Sequence, residues 1–279
     1  MINAAATAGI ESVELVEIAG LRTRFIAQGS GYPVVLLHGQ WSTASVAWSE
    51  NIPALAAHGF RAYAVDQPGF GETENPEDYS IETRIEHVKA FIDFLGLNRL
   101  ACWGCSDGSY VAASIALTDQ RIDRLVLMAS GALAPPRSQA PESTGDSLLE
   151  ELKRYTPTRA DAYSILSRIL ANHERLDDEL VDRALGATAG KNLKAHRARM
   201  VASPPDPIHE SLSRLDTPVL LLWGLDDEAV SAEQGLTLLR AMRNAEMHLL
   251  HRCGHWPQID RAERVNELVC DFLSSSVHI

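Results

Sequence analysis

Three residues spread along this 279-residue chain have the side chains that nucleophilic attack on a carbonyl needs: Ser106, Asp227 and His255. A serine hydroxyl is a poor nucleophile unless a base takes its proton, and an imidazole base needs a third group to orient it. Ser106 sits at the centre of Gly104-Cys105-Ser106-Asp107-Gly108. That stretch fits G-x-S-x-G, the pattern of a serine on a sharp turn between a strand and a helix. Arg99 to Trp103 before it is short and apolar enough for a buried strand. Ser109 to Leu117 after it is small and apolar at helical spacing. His255 lies in the loop Arg252-Cys253-Gly254-His255-Trp256, and the acid lies in Gly224-Leu225-Asp226-Asp227-Glu228. The residues alone leave Asp226 and Asp227 both open, since either also suits a turn or a helix cap. His251 is the near rival of His255, but it falls at the end of a strand.

A tetrahedral oxyanion needs two backbone N–H donors. The residue after the nucleophile supplies one, here Asp107 at a helix N-terminus. The loop after Leu37, His38-Gly39-Gln40-Trp41, supplies the other, with Gln40 as the best candidate. Asp107 is an unusual neighbour, because a carboxylate beside a developing oxyanion opposes it. It either suits the helix macrodipole and points away from the pocket, or faces the pocket and helps select a polar substrate or position water.

These loops need a frame. Residues 11–18 and 21–28 mix polar and apolar positions in rough alternation, as antiparallel strands with one wet face do. Pro33 to Leu37 and Phe60 to Val65 are apolar runs suited to strands buried on both faces, with a helix expected over 45–58 between them. A second helix is expected over 80–95, with Ile81, Ile85, Val88, Phe91, Ile92 and Leu95 on one face. Ile122 to Met128 is a further strand. Strands alternating with helices imply an α/β fold around a mostly parallel sheet. The alternation stops at Gly131. Pro- and Ser-rich passages over 132–146 and 201–207 bracket charged helical segments at 148–152, 159–172, 177–188 and 190–201. The expected division is a core of residues 1–134 and 208–279 with a helical lid over 135–207. The α/β pattern resumes at Pro218 to Trp223, then a helix over 231–242 and a strand over 245–250. Asp260 with Glu263 looks like a capping box opening the last helix.

Bulk properties narrow the function. The formal net charge is −12, so the basic footprint of a nucleic-acid binder is absent and anionic membrane surfaces are disfavoured. The start has neither the basic nor the apolar region of a signal peptide, and no run reaches the roughly 18 apolar residues of a membrane helix. Four cysteines in a chain this long are no disulfide scaffold. Cys102-Trp103-Gly104-Cys105 matches C-x-x-C, but the pair straddles a strand end that the serine motif already explains. A reduced, cytoplasmic protein acting on a small molecule is expected. No metal cluster or phosphate-binding loop points to a cofactor, and a homodimer is left open.

Taken together, His38-Gly39, Asp66-x-Pro68-Gly69-x-Gly71, Gly104-x-Ser106-x-Gly108, Trp223-Gly224-x-x-Asp227 and Gly254-His255-Trp256 resemble the α/β-hydrolase superfamily over nearly the whole chain. Within it the chain is most similar to the meta-cleavage-product hydrolases, through Asp66 to Gly71, Leu125 to Met128 and Arg252 to Gln258. The resemblance implies a mostly parallel eight-stranded sheet flanked by helices, with a helical lid insertion. It implies Ser106 as nucleophile, Asp227 rather than Asp226 as acid, His255 as base, and no cofactor. It implies hydrolysis of a C–C bond in vinylogous 1,5-diketones from aromatic degradation. His38, Trp41, Cys105, Arg183 and Trp256 fall at substrate-binding places. The sequence departs from that family in Gln40-Trp41-Ser42-Thr43 where glycines are typical, and in Cys105 and Asp107 where asparagine and an apolar residue are typical. Arg183 lies one position off the lid arginine that grips a substrate carboxylate. Ester, lactone or amide hydrolysis is therefore the alternative. A cofactor-free lyase or oxygenase, or a non-catalytic protein of the same fold, is the reading from another class.

Overall fold

A computed structural model describes residues 12–134, 148–201 and 208–275. β1 (Ser12–Ile18) and β2 (Leu21–Gly29) form a hairpin in which Ile18 pairs with Leu21. The two linking residues, Ala19 and Gly20, both have positive φ (48° and 79°), the twist that suits a two-residue hairpin. β3 (Tyr32–Leu37), β4 (Phe60–Val65), β5 (Leu100–Cys105), β6 (Ile122–Met128), β7 (Val219–Gly224) and β8 (Ala245–Leu250) complete one eight-stranded sheet in the order β1-β2-β4-β3-β5-β6-β7-β8. Only the β1–β2 and β2–β4 pairs are antiparallel. Every residue of β5 and β7 is buried, which explains their continuous apolar sequence.

Alternate residues of the strands feed two apolar layers. Val34, Leu36 and Trp103 face one, where Trp48 meets Trp103 edge-on with ring centroids 5.1 Å apart. Val35, Leu37 and Cys102 face the other, with Phe91, Val111 and Ile115. The helix expected over 45–58 is two, α1 (Ala44–Ala47) and α2 (Asn51–Ala57). Pro53 is the physical reason: it lacks an N–H and its ring excludes the preceding turn, so it is tolerated only near a helix start. α3 (Ile81–Phe94) is bounded as expected but turned about its axis. It buries Arg84 and His87 beside Val88, Phe91 and Ile92, leaving Ile81 and Ile85 half-buried. α4 (Asp107–Ala116) follows β5 directly.

Between β6 and β7 lie α5 (Leu148–Arg154), α6 (Arg159–Ile169), α7 (Asp178–Thr188), α8 (Lys191–Val201) and α9 (His209–Leu212). The expected hinges over 135–146 and 202–207 lie outside the described residues. α10 (Ala232–Ala241), α11 (Pro257–Asp260) and α12 (Ala262–Ser274) finish the chain. The expected capping box is absent, because Asp260 ends α11 and its carboxylate is used elsewhere. It accepts from Gly254 N at 2.6 Å, Ala171 N at 2.9 Å and Asn172 N at 3.0 Å, and the residue is 1% exposed. The same bonds end α6 at Ile169 rather than at the expected residue 172, since they draw the backbone of Ala171 and Asn172 away from helical geometry. The helical insert is thus tied to the loop that carries His255.

Asp260→Ala strands three backbone donors at a buried point, so it should lower stability by about 2–4 kcal/mol in equilibrium urea unfolding. A loss under about 0.5 kcal/mol, the ordinary range of surface substitutions, would show that this tie does not hold the insert to the core.

Candidate active site

Ser106 occupies the turn between β5 and α4 with φ 53° and ψ −124°, a conformation that L-residues rarely adopt. Two close contacts hold it there. Ser106 N donates to Met128 O across the sheet at 2.8 Å. Gly108 crosses β3 so tightly that a Cβ on it would lie 2.0 Å from Leu37 O. Ser109 adds a third, its hydroxyl donating to Met128 O and accepting from Met128 N, both at 2.9 Å. The pattern of glycines and small residues is therefore a packing requirement: the turn exists because α4 sits directly against the ends of β3 and β6.

The strands flanking this turn are β3 and β6, and sheet order reverses direction at the β3–β5 boundary. Loops at the carboxyl ends of strands beside such a reversal form the crevice of an open α/β sheet. Three loops from the carboxyl ends of strands, those after β5, β7 and β8, converge here. His255 Nε2 lies 3.2 Å from Ser106 Oγ, and His255 Nδ1 lies 2.9 Å from Asp227 Oδ2 and 3.1 Å from Oδ1. Asp227 Oδ1 also accepts from Ala229 N and Val230 N at 2.8 and 2.9 Å, which fixes the carboxylate. Asp226 has another partner: its carboxylate accepts from Cys253 N at 3.2 Å. The geometry thus brings Asp227, not Asp226, to the imidazole, and His251 stays exposed. His255 is buried, which disfavours its charge, but Asp227 and its hydrogen bond, with Asp107 adding, outweigh burial and raise its pKa above the usual histidine value of 6.5. An imidazole so placed can take a proton from Ser106 and hold it while charge develops on a substrate.

The loop carrying Gln40 stands beside Ser106: a Cβ on Gly39 would lie 2.8 Å from Ser106 Cβ. His38 anchors the loop. Its Nε2 accepts from Gln67 N at 3.1 Å, so Nδ1 carries the proton and donates to Gly39 O at 2.7 Å. Burial pushes its pKa down to about 3, and the ring is neutral. Both nitrogens are engaged within the protein, so His38, expected at the substrate, shapes the loop instead. Asp107 turns its carboxylate toward the same loop, where Oδ2 accepts from Gln40 Nε2 at 2.7 Å and from Arg84 Nη1 at 3.2 Å. Arg84 is 2% exposed, and its Nε and Nη2 donate to Gln67 Oε1 at 3.2 and 3.0 Å. Gln67 Nε2 closes the circuit by donating to His38 O at 2.6 Å.

The remaining expected residues fall in different places. Trp41 is buried with φ 67° and packs edge-on against Tyr155 of the helical insert, centroids 4.6 Å apart. Trp256 is buried at the start of α11. Cys105 is fully buried, its thiol pKa pushed up by burial, so it does not offer a thiolate. Cys102 and Cys105 feed opposite faces of the sheet, as positions three apart on a strand do, which removes the C-x-x-C pairing. Arg183 lines an outer crevice of about 230 Å³ with Arg24 and Asp66, where it reaches Ser45 O at 3.4 Å and Glu179 at 3.8 Å, and Ser106 is not among the residues lining that crevice.

The sequence reading missed Arg84, Gln67 and Arg199. Arg199, on α8, is 8% exposed. Its guanidinium carbon lies 3.8 Å from the centroid of Phe70, whose ring packs on His38 with centroids 4.8 Å apart. Nη2 donates to Pro68 O, while Nε and Nη1 have no partner among the described residues. Burial and then Arg84 push its pKa down to about 9, with Asp107 opposing. A signal for Arg84 exists in the sequence: it stands four and seven residues before Val88 and Phe91, a charge on the buried stripe.

A family profile described as "Alpha/beta hydrolase family" matches residues 34–268. The 2-hydroxy-6-oxononadienedioate/2-hydroxy-6-oxononatrienedioate hydrolase of Paraburkholderia phymatum is 32% identical over 267 residues, 91% of each chain. The 2-hydroxymuconate semialdehyde hydrolase of a Pseudomonas strain is 28% identical over 270 residues, 92% of each chain. Among solved structures, a meta-cleavage product hydrolase from Pseudomonas fluorescens IP01 superposes with a TM-score of 0.80 at 28% identity, covering 93% of this chain and 97% of that one. An epoxide hydrolase shares the fold at 19% identity with a TM-score of 0.78, covering 95% of this chain and 99% of that one. By its sheet, its strained serine turn and this match across most of its length, the chain belongs to the alpha/beta hydrolase family.

Proposed function

We propose that the protein is a serine hydrolase that cleaves a C–C bond in a ring-cleavage product of aromatic degradation, a vinylogous diketone bearing a carboxylate. The observation that carries this reading is the continuous line from Ser106 Oγ through His255 to Asp227, at 3.2 and 2.9 Å, under the strained turn. Relatives named for such substrates support the choice of bond. Ser106 adds to the ketone carbon as its proton moves to His255 Nε2, and the oxyanion lies between the Gln40 and Asp107 amides. Collapse breaks the C–C bond. The departing electron pair would be a carbanion unless it delocalises into a conjugated carbonyl, which is why the substrate must be a vinylogous diketone. His255 returns the proton to the leaving fragment, an enol acid, and the acyl group stays on Ser106. Water deprotonated by His255 then attacks the ester, and Ser106 leaves with its proton as the carboxylic acid is released.

The segment over 135–207 acts as the lid. Tyr155 on Trp41, Arg199 on Phe70, and the Ile169 O to His255 N bond at 2.7 Å support that placement. Arg199 is the cation suited to the substrate's carboxylate, its charge buried and two of its donors without a partner among the described residues. This replaces the assignment of that role to Arg183.

A fluorophosphonate should label Ser106 covalently, and no labelling would sink the enzyme reading. His255→Ala should lower kcat by about 10³-fold or more, the usual scale for losing the base of such a triad; a loss below about tenfold would refute the assignment. Because the proton on His255 must be off for attack, and its pKa is raised, kcat/KM should fall on acidification with a midpoint above about 6.5. A midpoint below the usual histidine value would contradict the Asp227 pairing. Arg199→Met should raise KM for a ring-cleavage dienoate at least about tenfold, the scale of charge-assisted bonds, and leave KM for p-nitrophenyl acetate nearly unchanged. Equal effects on both substrates would remove Arg199 from the carboxylate site.

A further inference from the structure

The two residues proposed above to supply the oxyanion amides are also joined to each other through their side chains. Gln40 Nε2 donates to Asp107 Oδ2 at 2.7 Å, so the loop after β3 and the first turn of α4 are linked at the level of the hole. The link is charged on one side, and a bare carboxylate there would act against the negative charge that forms on the substrate. Arg84 answers it: 2% exposed, it bonds the same Oδ2 at 3.2 Å and is itself held by Gln67 Oε1 through two nitrogens. Gln67 in turn holds His38 O and His38 Nε2, at the root of the Gln40 loop. Arg84 therefore reaches the hole from both sides, through Asp107 to α4 and through Gln67 to the loop.

We propose that Asp107 and Arg84 are positioning residues, a charge-balanced clamp that sets the spacing of the two oxyanion donors while cancelling the carboxylate's opposition to the oxyanion. This rests on the reading of Ser106 as nucleophile. The clamp answers the two alternatives that the sequence left open: Asp107 neither points away from the site nor needs to touch substrate. It accounts for an acidic residue directly after the nucleophile, because that carboxylate is tolerated only with a buried cation on it. The clamp also acts on His255 through charge. The charged groups acting on His255 are Asp227, from the loop after β7, and Asp107, from α4. Asp107 itself is faced by Arg84 of α3 and, more distantly, Arg199 of α8.

The test is a charge cycle on the intact enzyme, read as kcat, KM and pH profile. Removing one oxyanion donor outright costs about 10²- to 10³-fold in kcat, so letting one drift beside an unbalanced carboxylate should cost at least about tenfold. Arg84→Met should therefore lower kcat at least about tenfold with KM changed less than about threefold. Adding Asp107→Asn should recover most of that loss, because the amide oxygen still accepts from Gln40 and no longer needs a cation. Asp107→Asn alone should move the acidic limb of kcat/KM to lower pH, since one of the two charges favouring protonated His255 is gone; a merely structural role would leave that limb in place. An Arg84→Met variant with normal kcat, a loss that Asp107→Asn does not relieve, or an unmoved limb would each overturn the clamp. If Arg84→Met fails to fold, Gln40→Met decides, because it cuts the bond to Asp107 Oδ2 and keeps the backbone amide at residue 40: an unchanged kcat overturns the clamp. Fluorophosphonate labelling separates the two levels of inference: an unlabelled wild type removes the nucleophile itself, whereas labelled variants with the wrong kinetics remove only the clamp.

Discussion

The hydrogen bond between His255 Nδ1 and Asp227 is the interaction on which the site depends. Without it the buried imidazole would lose the pull that offsets burial, and its other nitrogen would not be held toward Ser106. Asp227 can play this part because Ala229 N and Val230 N fix its second contact, which leaves one geometry for the pair. His255 is fixed from its backbone side too. Its N–H donates to Ile169 O, and the preceding Gly254 N donates to Asp260. The base is therefore positioned jointly by the sheet, which places the loop after β7, and by the helical insert, which grips the loop after β8.

That arrangement gives the insert a part in placing His255. Its α6 ends where Ala171 and Asn172 leave helical geometry to reach Asp260, so the insert's docking and the imidazole's placement share one buried carboxylate. On the other side of the nucleophile the charges are arranged differently. Phe70 carries Arg199 at 3.8 Å and Arg84 at 5.3 Å from its centroid, with Asp107 as their carboxylate. One carboxylate against two buried guanidiniums leaves a surplus of positive charge there, in a chain whose formal net charge is −12. A cationic pole of that kind attracts anions, and the attraction is strong in low-dielectric surroundings.

How much of this is legible in the sequence follows from the range of each signal. The Ser106 turn is a local pattern, because strand, glycine and small helix residues all lie within about fifteen positions, and it needs no knowledge of the fold. Asp227 and His255 are legible because each sits just past a buried strand, and parallel strands deliver such loops to one edge. Asp226 against Asp227 was open on the residues alone, since adjacent positions in a loop differ only in which way they point. Asp260 resembles a cap in sequence, because two of its three partners, Ala171 and Asn172, lie 89 and 88 residues away. Arg199 and Arg84 had no role in the sequence reading, because their role comes from two helices meeting over Phe70. Arg84 nevertheless left a trace, a charge on the buried face of α3. Arg183 matches the family's arginine only by its place along α7, and its side chain turns to Ser45 and Glu179.

Ser106 is the proposed nucleophile for C–C cleavage. The most direct measurement follows loss of a ring-cleavage dienoate by its own absorbance in the wild type and in Ser106→Ala, with the released acid identified. The wild type should turn the dienoate over to one enol acid and one carboxylic acid, and the variant should be at least about 10³-fold slower. Turnover by Ser106→Ala within about tenfold of the wild type would contradict that role for Ser106.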